Sequence, residues 1–191
     1  MLRSYKILWQ ICLATAVLPQ LCNAQNCESL NASTPEAIVG ALDHGDIKTE
    51  DCSRIAFRRI EQLPKDESIP ILIRHLGFKR PPSYAPQHGL PSPYPAVDSL
   101  ARIGLPAEPL LIEFLAQNQD EVNIERANAI EALALIRHSD VVTTIKLLRR
   151  RSAQLAGTPA SAHLEAAAQY MLKTYCRRMR QWCEKRLRES D

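Results

Sequence analysis

From Thr34 onward, short apolar stripes at helical spacing alternate with Gly and Pro stops. Thr34-Pro35-Glu36 supplies an N-cap, a first-turn proline and an acid at the positive end of the helix dipole. Ile38, Val39, Ala41 and Leu42 then share one face, and Gly45 suits the C-terminal stop. The spacing predicts a second helix over 51–63, with Ile55, Ala56, Ile60 and Leu63 on one stripe and Pro64 ending it. A third is predicted over 68–76, closed by Gly77.

The pattern then repeats. Ala96-Val97-Asp98-Ser99-Leu100-Ala101-Arg102-Ile103 leads through Gly104-Leu105-Pro106 into Glu108-Pro109-Leu110-Leu111-Ile112-Glu113-Phe114-Leu115. About one period later the frame recurs at Ala129, Leu133, Ala134 and Ile136, then at Ile145, Leu147 and Leu148. About one period earlier it recurs at Ala56, Ile60 and Leu63, then at Pro70, Ile73 and Leu76, with a weaker echo at Ala168 and Leu172. Two short antiparallel helices cannot each bury a stripe alone, so such units stack on a shared core. The alternative is an irregular helical bundle with accidental register.

Pro95–Ala116 (PAVDSLARIGLPAEPLLIEFLA) resembles a HEAT repeat, particularly the short type named after phycobilisome lyases. The Ala-x-x-x-Leu-Ala-x-Ile-Gly helix, the proline-containing turn and the Pro-Leu-Leu-Ile second helix carry the likeness, which extends over 51–150. The resemblance implies an all-α fold, a right-handed α-solenoid of about three helical hairpins with terminal capping helices. It also implies a scaffold that binds other proteins. The bilin attachment of some family members has no motif here, so no cofactor is expected. The signatures of tetratricopeptide and ankyrin repeats are missing.

Residues 1–24 read as a secretory signal: Arg3 and Lys6, the apolar run Ile7–Leu18, Pro19, then small residues before Gln25. The expected domain is therefore 25–191, secreted or periplasmic. No apolar run reaches the roughly 18–20 residues of a membrane span. At 46% hydrophobic, 24% charged and 5% aromatic, the composition is globular and favours helices over a β-sandwich. Without the signal, 22 bases face 21 acids, but unevenly: 25–145 hold 11 bases and 17 acids, 146–191 hold 11 bases and 4 acids.

Four cysteines follow the signal, which suits two disulfides in an exported chain. Three pairings are possible. Cys27–Cys52 with Cys176–Cys183 is preferred, yet a continuous helix would separate the last two Cα atoms by about 10.5 Å, beyond the roughly 7 Å a disulfide spans. Either the helix breaks between them or they pair elsewhere, and free thiols are the remaining alternative. No C-x-x-C or histidine spacing points to a metal.

Two segments offer contact surfaces. The insertion 79–95 (KRPPSYAPQHGLPSPYP) carries six prolines and cannot continue a helix. Its Tyr84, His88 and Tyr94 either cover a gap between repeats or present stiff aromatic anchors to a partner. The basic end comprises Lys146, Arg149, Arg150 and Arg151 on one helix, then Lys173, Arg177, Arg178, Arg180, Lys185, Arg186 and Arg188, with Trp182, on a helix expected over 160–188. It is either a solvated cap or a surface for an anionic partner: an acidic protein face, phospholipid headgroups or a polyanion. Nucleic acid is not expected, because the chain is read as exported and has no nucleic-acid-binding motif. Head-to-tail self-association of basic end and acidic body is a further possibility. No catalytic motif occurs, and His75 and His163 read as exposed. Asn31-Ala32-Ser33 fits a glycosylation acceptor. The expected function is a non-enzymatic exported scaffold or adaptor. The alternatives are an enzyme or accessory subunit with a site in the groove, and a self-assembling envelope protein.

Overall fold

The computed structural model describes residues 27, 29–81, 92–117, 123–137 and 140–189; the signal reading, Tyr84, His88 and His138 lie outside them. The described residues are all-α, with no strand among them. The helices are α1 (Ser29–Ala32), α2 (Pro35–Asp43), α3 (Glu50–Glu61), α4 (Lys65–Arg74), α5 (Pro95–Ile103), α6 (Glu108–Gln117), α7 (Ile124–Ile136), α8 (Val141–Gln154), α9 (Pro159–Tyr175) and α10 (Arg180–Arg188). Short 3-10 turns at Leu105–Ala107 and Arg177–Met179 precede α6 and α10.

Local chemistry sets most helix ends. The Thr34 hydroxyl accepts the Ala37 N–H at 3.3 Å, and Thr49 does the same for Cys52 at 3.2 Å. Asn123 and Asp140 cap α7 and α8 by accepting the N–H groups of Arg126 and Thr143. Gly45 adopts φ +67°, and Gly45 and Asp46 donate back to the Leu42 and Ala41 carbonyls. That reversal closes α2 and is cheap only for glycine. Gly77 follows α4 with the end of the Glu125 side chain packed against its Cα, a contact that a Cβ would meet and that the flexible carboxylate could yield.

Three expectations shift. Helix α4 starts at Lys65, not at 68, because Pro64 precedes it and Asp66 and Glu67 occupy its first turn; Pro70 sits inside the helix. Ile55 on α3 and Leu63 just beyond it are only half-buried, whereas Phe57 is fully buried, its ring centroid 5.5 Å from that of Phe78. The segment 160–188 is two helices, broken after Tyr175.

Helix α5 lies between α3 and α7, while α4 and α6 pack beneath them. Helix α9, not α8, lies along α6, and α8 pairs chiefly with α9 and α10. Buried side chains from Ile38 to Leu187 form a single cluster that includes Leu100, Leu111, Leu133, Ile145, Leu164 and Met171, with Ile112 half-buried against it. Burial on this scale, at about 1.5–3 kcal/mol per large aliphatic side chain, is the main stabilising term.

Polar contacts tie the layers. Arg102 and Ser99 of α5 donate to Glu61 of α3. Arg137 donates to both carboxylate oxygens of Glu108, at 2.6 and 3.0 Å. Buried Arg126 donates to the Leu115 carbonyl at 3.3 Å and to the His163 carbonyl. Burial lowers the Arg126 pKa. His163 is half-buried, its Nδ1 3.2 Å from the Ala116 carbonyl oxygen, so the end of α6 is capped from two neighbours. His75 is buried at the end of α4 with Nε2 3.5 Å from Asp43, and burial lowers its pKa. Neither histidine is the exposed residue expected, because each faces a neighbouring element across the core edge.

Arg126→Met should cost about 2–3 kcal/mol, since it strips two part-buried carbonyls of a charged donor. Urea denaturation measures this; a loss under about 0.5 kcal/mol, the level of a neutral surface change, would mean that water replaces the guanidinium.

Candidate functional site: a cationic groove at the C-terminal end

The groove arises from how α9 divides its faces. Thr158 precedes Pro159 at the first turn. Leu164, Ala167, Ala168 and Met171 are buried in the core. The opposite stripe, Ala166, Gln169, Tyr170, Lys173 and Thr174, recurs at three- and four-residue spacing and faces outward. Just beyond the helix, Arg177 continues this stripe from the 3-10 turn.

The cysteines build the far wall. Cys176 and Cys183 are disulfide-bonded with Cα atoms 6.2 Å apart, which a continuous helix cannot provide. The break at Arg177–Met179 resolves the conflict and folds α10 back beside α8 and α9. Cys27–Cys52 is the other bond, with Cα atoms 4.8 Å apart. Both preferred pairings are therefore at bonding distance.

Arg149 from α8 and Arg180 from α10 complete a groove of about 1130 Å³. Among the described residues, four cations line it and no carboxylate does. Two are held from the side: Arg149 Nε lies 3.6 Å from Glu165, and Arg180 Nε donates to Glu184 at 2.8 Å. Lys173 and Arg177 make no ion pair among the described residues. Tyr170 is exposed and adds an aromatic face.

Of the basic residues singled out from sequence, the structure brings Arg149, Lys173, Arg177 and Arg180 into this groove. Arg150 is exposed outside it, and Arg151 turns to Glu113 at 3.6 Å and Gln154 at 3.2 Å. Trp182 is exposed beneath the Arg186 guanidinium, 5.2 Å from the ring centroid. The side chain of Arg178 lies outside the described residues. Gln169, Tyr170 and Thr174 were missed; the outward stripe opposite Leu164 and Met171 is the signal that locates them.

The proline-rich insertion is pinned at its base. Arg80 Nη2 lies 2.9 Å from Asp98 Oδ2, and both side chains are about nine-tenths buried. Arg80 also donates to the Ser92 and Pro93 carbonyls, while Asp98 accepts the Ser92 N–H. Tyr94 is half-buried against the core, which favours packing over display at that position. Beyond Asp98, burial and the Asp98 charge raise the Glu131 pKa. Burial, then Glu131 and Tyr170, push the Tyr175 pKa up to about 12, so its hydroxyl stays protonated at neutral pH.

A smaller recess of about 140 Å³ between Pro35, Ile38, Arg59 and Leu63 has room for little more than one side chain. Among the described residues, no group of His, Cys, Asp and Glu is placed to hold a metal, and no helix is long and apolar enough to cross a membrane. No family model, curated protein or solved structure matches the chain.

Proposed function

We propose that the chain is an exported, non-enzymatic HEAT-like α-solenoid that binds another protein through an acidic surface. The cationic groove carries this reading: a wide recess with four guanidinium or ammonium groups and no acid among the described residues that line it. The side-by-side order α3, α5, α7 over α4, α6, α9 supports the solenoid, with α9 taking the lower-row place that regular repetition assigns to α8. Two disulfides support an oxidising compartment. A single core makes such a surface stiff, so little ordering entropy is lost on docking.

The test is capture by the oxidised, full-length protein from exported fractions, eluted by a salt gradient. Partners should be acidic and should leave as salt rises, because the screening length falls from about 10 Å at 0.1 M to about 3 Å at 1 M. Retention of basic partners only, or of none, would remove the reading. The acidic body and basic tail favour a second reading, head-to-tail self-association. Under it, light scattering detects a mass above that of one chain, which falls towards the single-chain value as salt rises.

A further inference from the structure

Building on the protein-binding reading, we propose that the groove takes an extended acidic peptide segment, with acids two residues apart on Lys173 and Arg177 and an apolar side chain on Tyr170.

The spacing defines the ligand. From Ala166 to Thr174 the stripe runs about 12 Å along α9, at 1.5 Å per residue, and the 3-10 turn carrying Arg177 extends it. An extended peptide rises about 3.3 Å per residue, so about five residues fill it. Lys173 stands in the last turn of α9 and Arg177 four positions on, in the 3-10 turn, and both line the groove. Residues four apart on a helix stand on the order of 6 Å from each other, and alternate side chains of an extended strand point the same way about every 6.6 Å. Two acids at i and i+2 therefore meet both cations together, whereas adjacent acids point to opposite faces. Tyr170 lies a further turn back, where the next side chain on that face falls.

The remaining groups suit a peptide. Arg149 of α8 and Arg180 of α10 each lie beside a carboxylate partner, which orients them and leaves Lys173 and Arg177 as the lining cations without an ion pair among the described residues. Gln169 and Thr174 offer amide and hydroxyl groups that can meet a peptide backbone. Tyr170, Ala166 and Leu172 give the groove an apolar component that a sugar polyanion would leave unused. A bilayer surface is flat and reaches a recess poorly, which makes phospholipid headgroups the weaker match. The Cys176–Cys183 bond holds α10, and so Arg180, in position.

The test is fluorescence anisotropy with the labelled peptide Gly-Glu-Ser-Glu-Ser-Phe-Gly, its reversed sequence, a version with adjacent glutamates, and a Gln-for-Glu control. The full-length oxidised protein should bind one of the first two at least tenfold more tightly than the adjacent-acid and Gln peptides. Lys173→Glu and Arg177→Glu should each weaken binding tenfold or more. Arg150→Glu, an exposed change outside the groove, should weaken it less than threefold. Far-UV circular dichroism checks that each variant is folded, and Lys173→Arg should retain binding. Equal binding of the Gln peptide, or an equal loss with Arg150→Glu, overturns the proposal. So does dependence on Lys173 and Arg177 that appears only with a sulfated polysaccharide or anionic vesicles. If the Lys173→Glu/Arg177→Glu protein still captures its acidic partners, the peptide site is wrong while the binding-platform reading stands.

Discussion

Replacing Phe57 by Ala should cost about 3–5 kcal/mol, the range for emptying an aromatic site in a packed core. Phe57 is fully buried on α3 and meets Phe78 in a tilted ring pair. Ile60 on the same helix and Leu72 on α4 are buried in the same core cluster, so the cavity has little freedom to collapse. For a chain of this size the melting temperature should fall by roughly 6–20 °C, at about 2–4 °C per kcal/mol. Ile55→Ala on the same helix is the control. Ile55 is half-buried, and its loss should cost less than half as much. Equal costs would mean that α3 is not seated as described.

The second large effect separates the two disulfides. Cys27→Ser with Cys52→Ser opens a bond spanning 25 residues, and chain entropy puts its loss at about 3.5 kcal/mol. Cys176→Ser with Cys183→Ser opens a bond spanning seven residues, worth about 2.4 kcal/mol on the same footing. Stability should therefore suffer more from the first change. Binding in the groove should suffer more from the second, because only that bond anchors the wall carrying Arg180. Urea denaturation and the acidic-peptide titration, run on both variants, give the two rankings. Identical rankings in the two assays would show that α10 is held by packing alone.

Much of the local structure was legible because it depends on neighbours in sequence. Thr34-Pro35 and Gly45 delimit α2 through a cap, a fixed φ and a left-handed stop, all local effects. The conflict between helix rise and disulfide reach also required a break between Cys176 and Cys183 if they pair, and the 3-10 turn at Arg177–Met179 is that break.

What was not legible depends on contacts distant in sequence. The 33-residue frame shift that aligns Ile112 with Ile145 placed α8 in the row after α6, yet α9 lies there. Apolar periodicity says that a helix has a buried face, not which helix covers it. Phe57 lies on the edge of the predicted stripe and is claimed by Phe78 from beyond α4. His75 and His163 read as surface residues because their partners, Asp43 and the Ala116 carbonyl, come from other helices. The groove was legible only as an excess of charge. Arg149, Arg177 and Arg180 come from two helices and a turn, and nothing in their spacing predicts that they meet.

The claim on which the rest depends is that one hydrophobic core couples the N-terminal helices to the C-terminal groove. Trp182, the single tryptophan beyond residue 24, reports on α10 by fluorescence, while far-UV circular dichroism reports on all helices. The direct measurement is urea unfolding of the Phe57→Ala protein followed by both signals. A shared core predicts coincident transitions, with the Trp182 midpoint lowered by the full effect of a substitution made at the other end of the chain. A Trp182 transition that stays at its original midpoint while the helical signal unfolds earlier would contradict it.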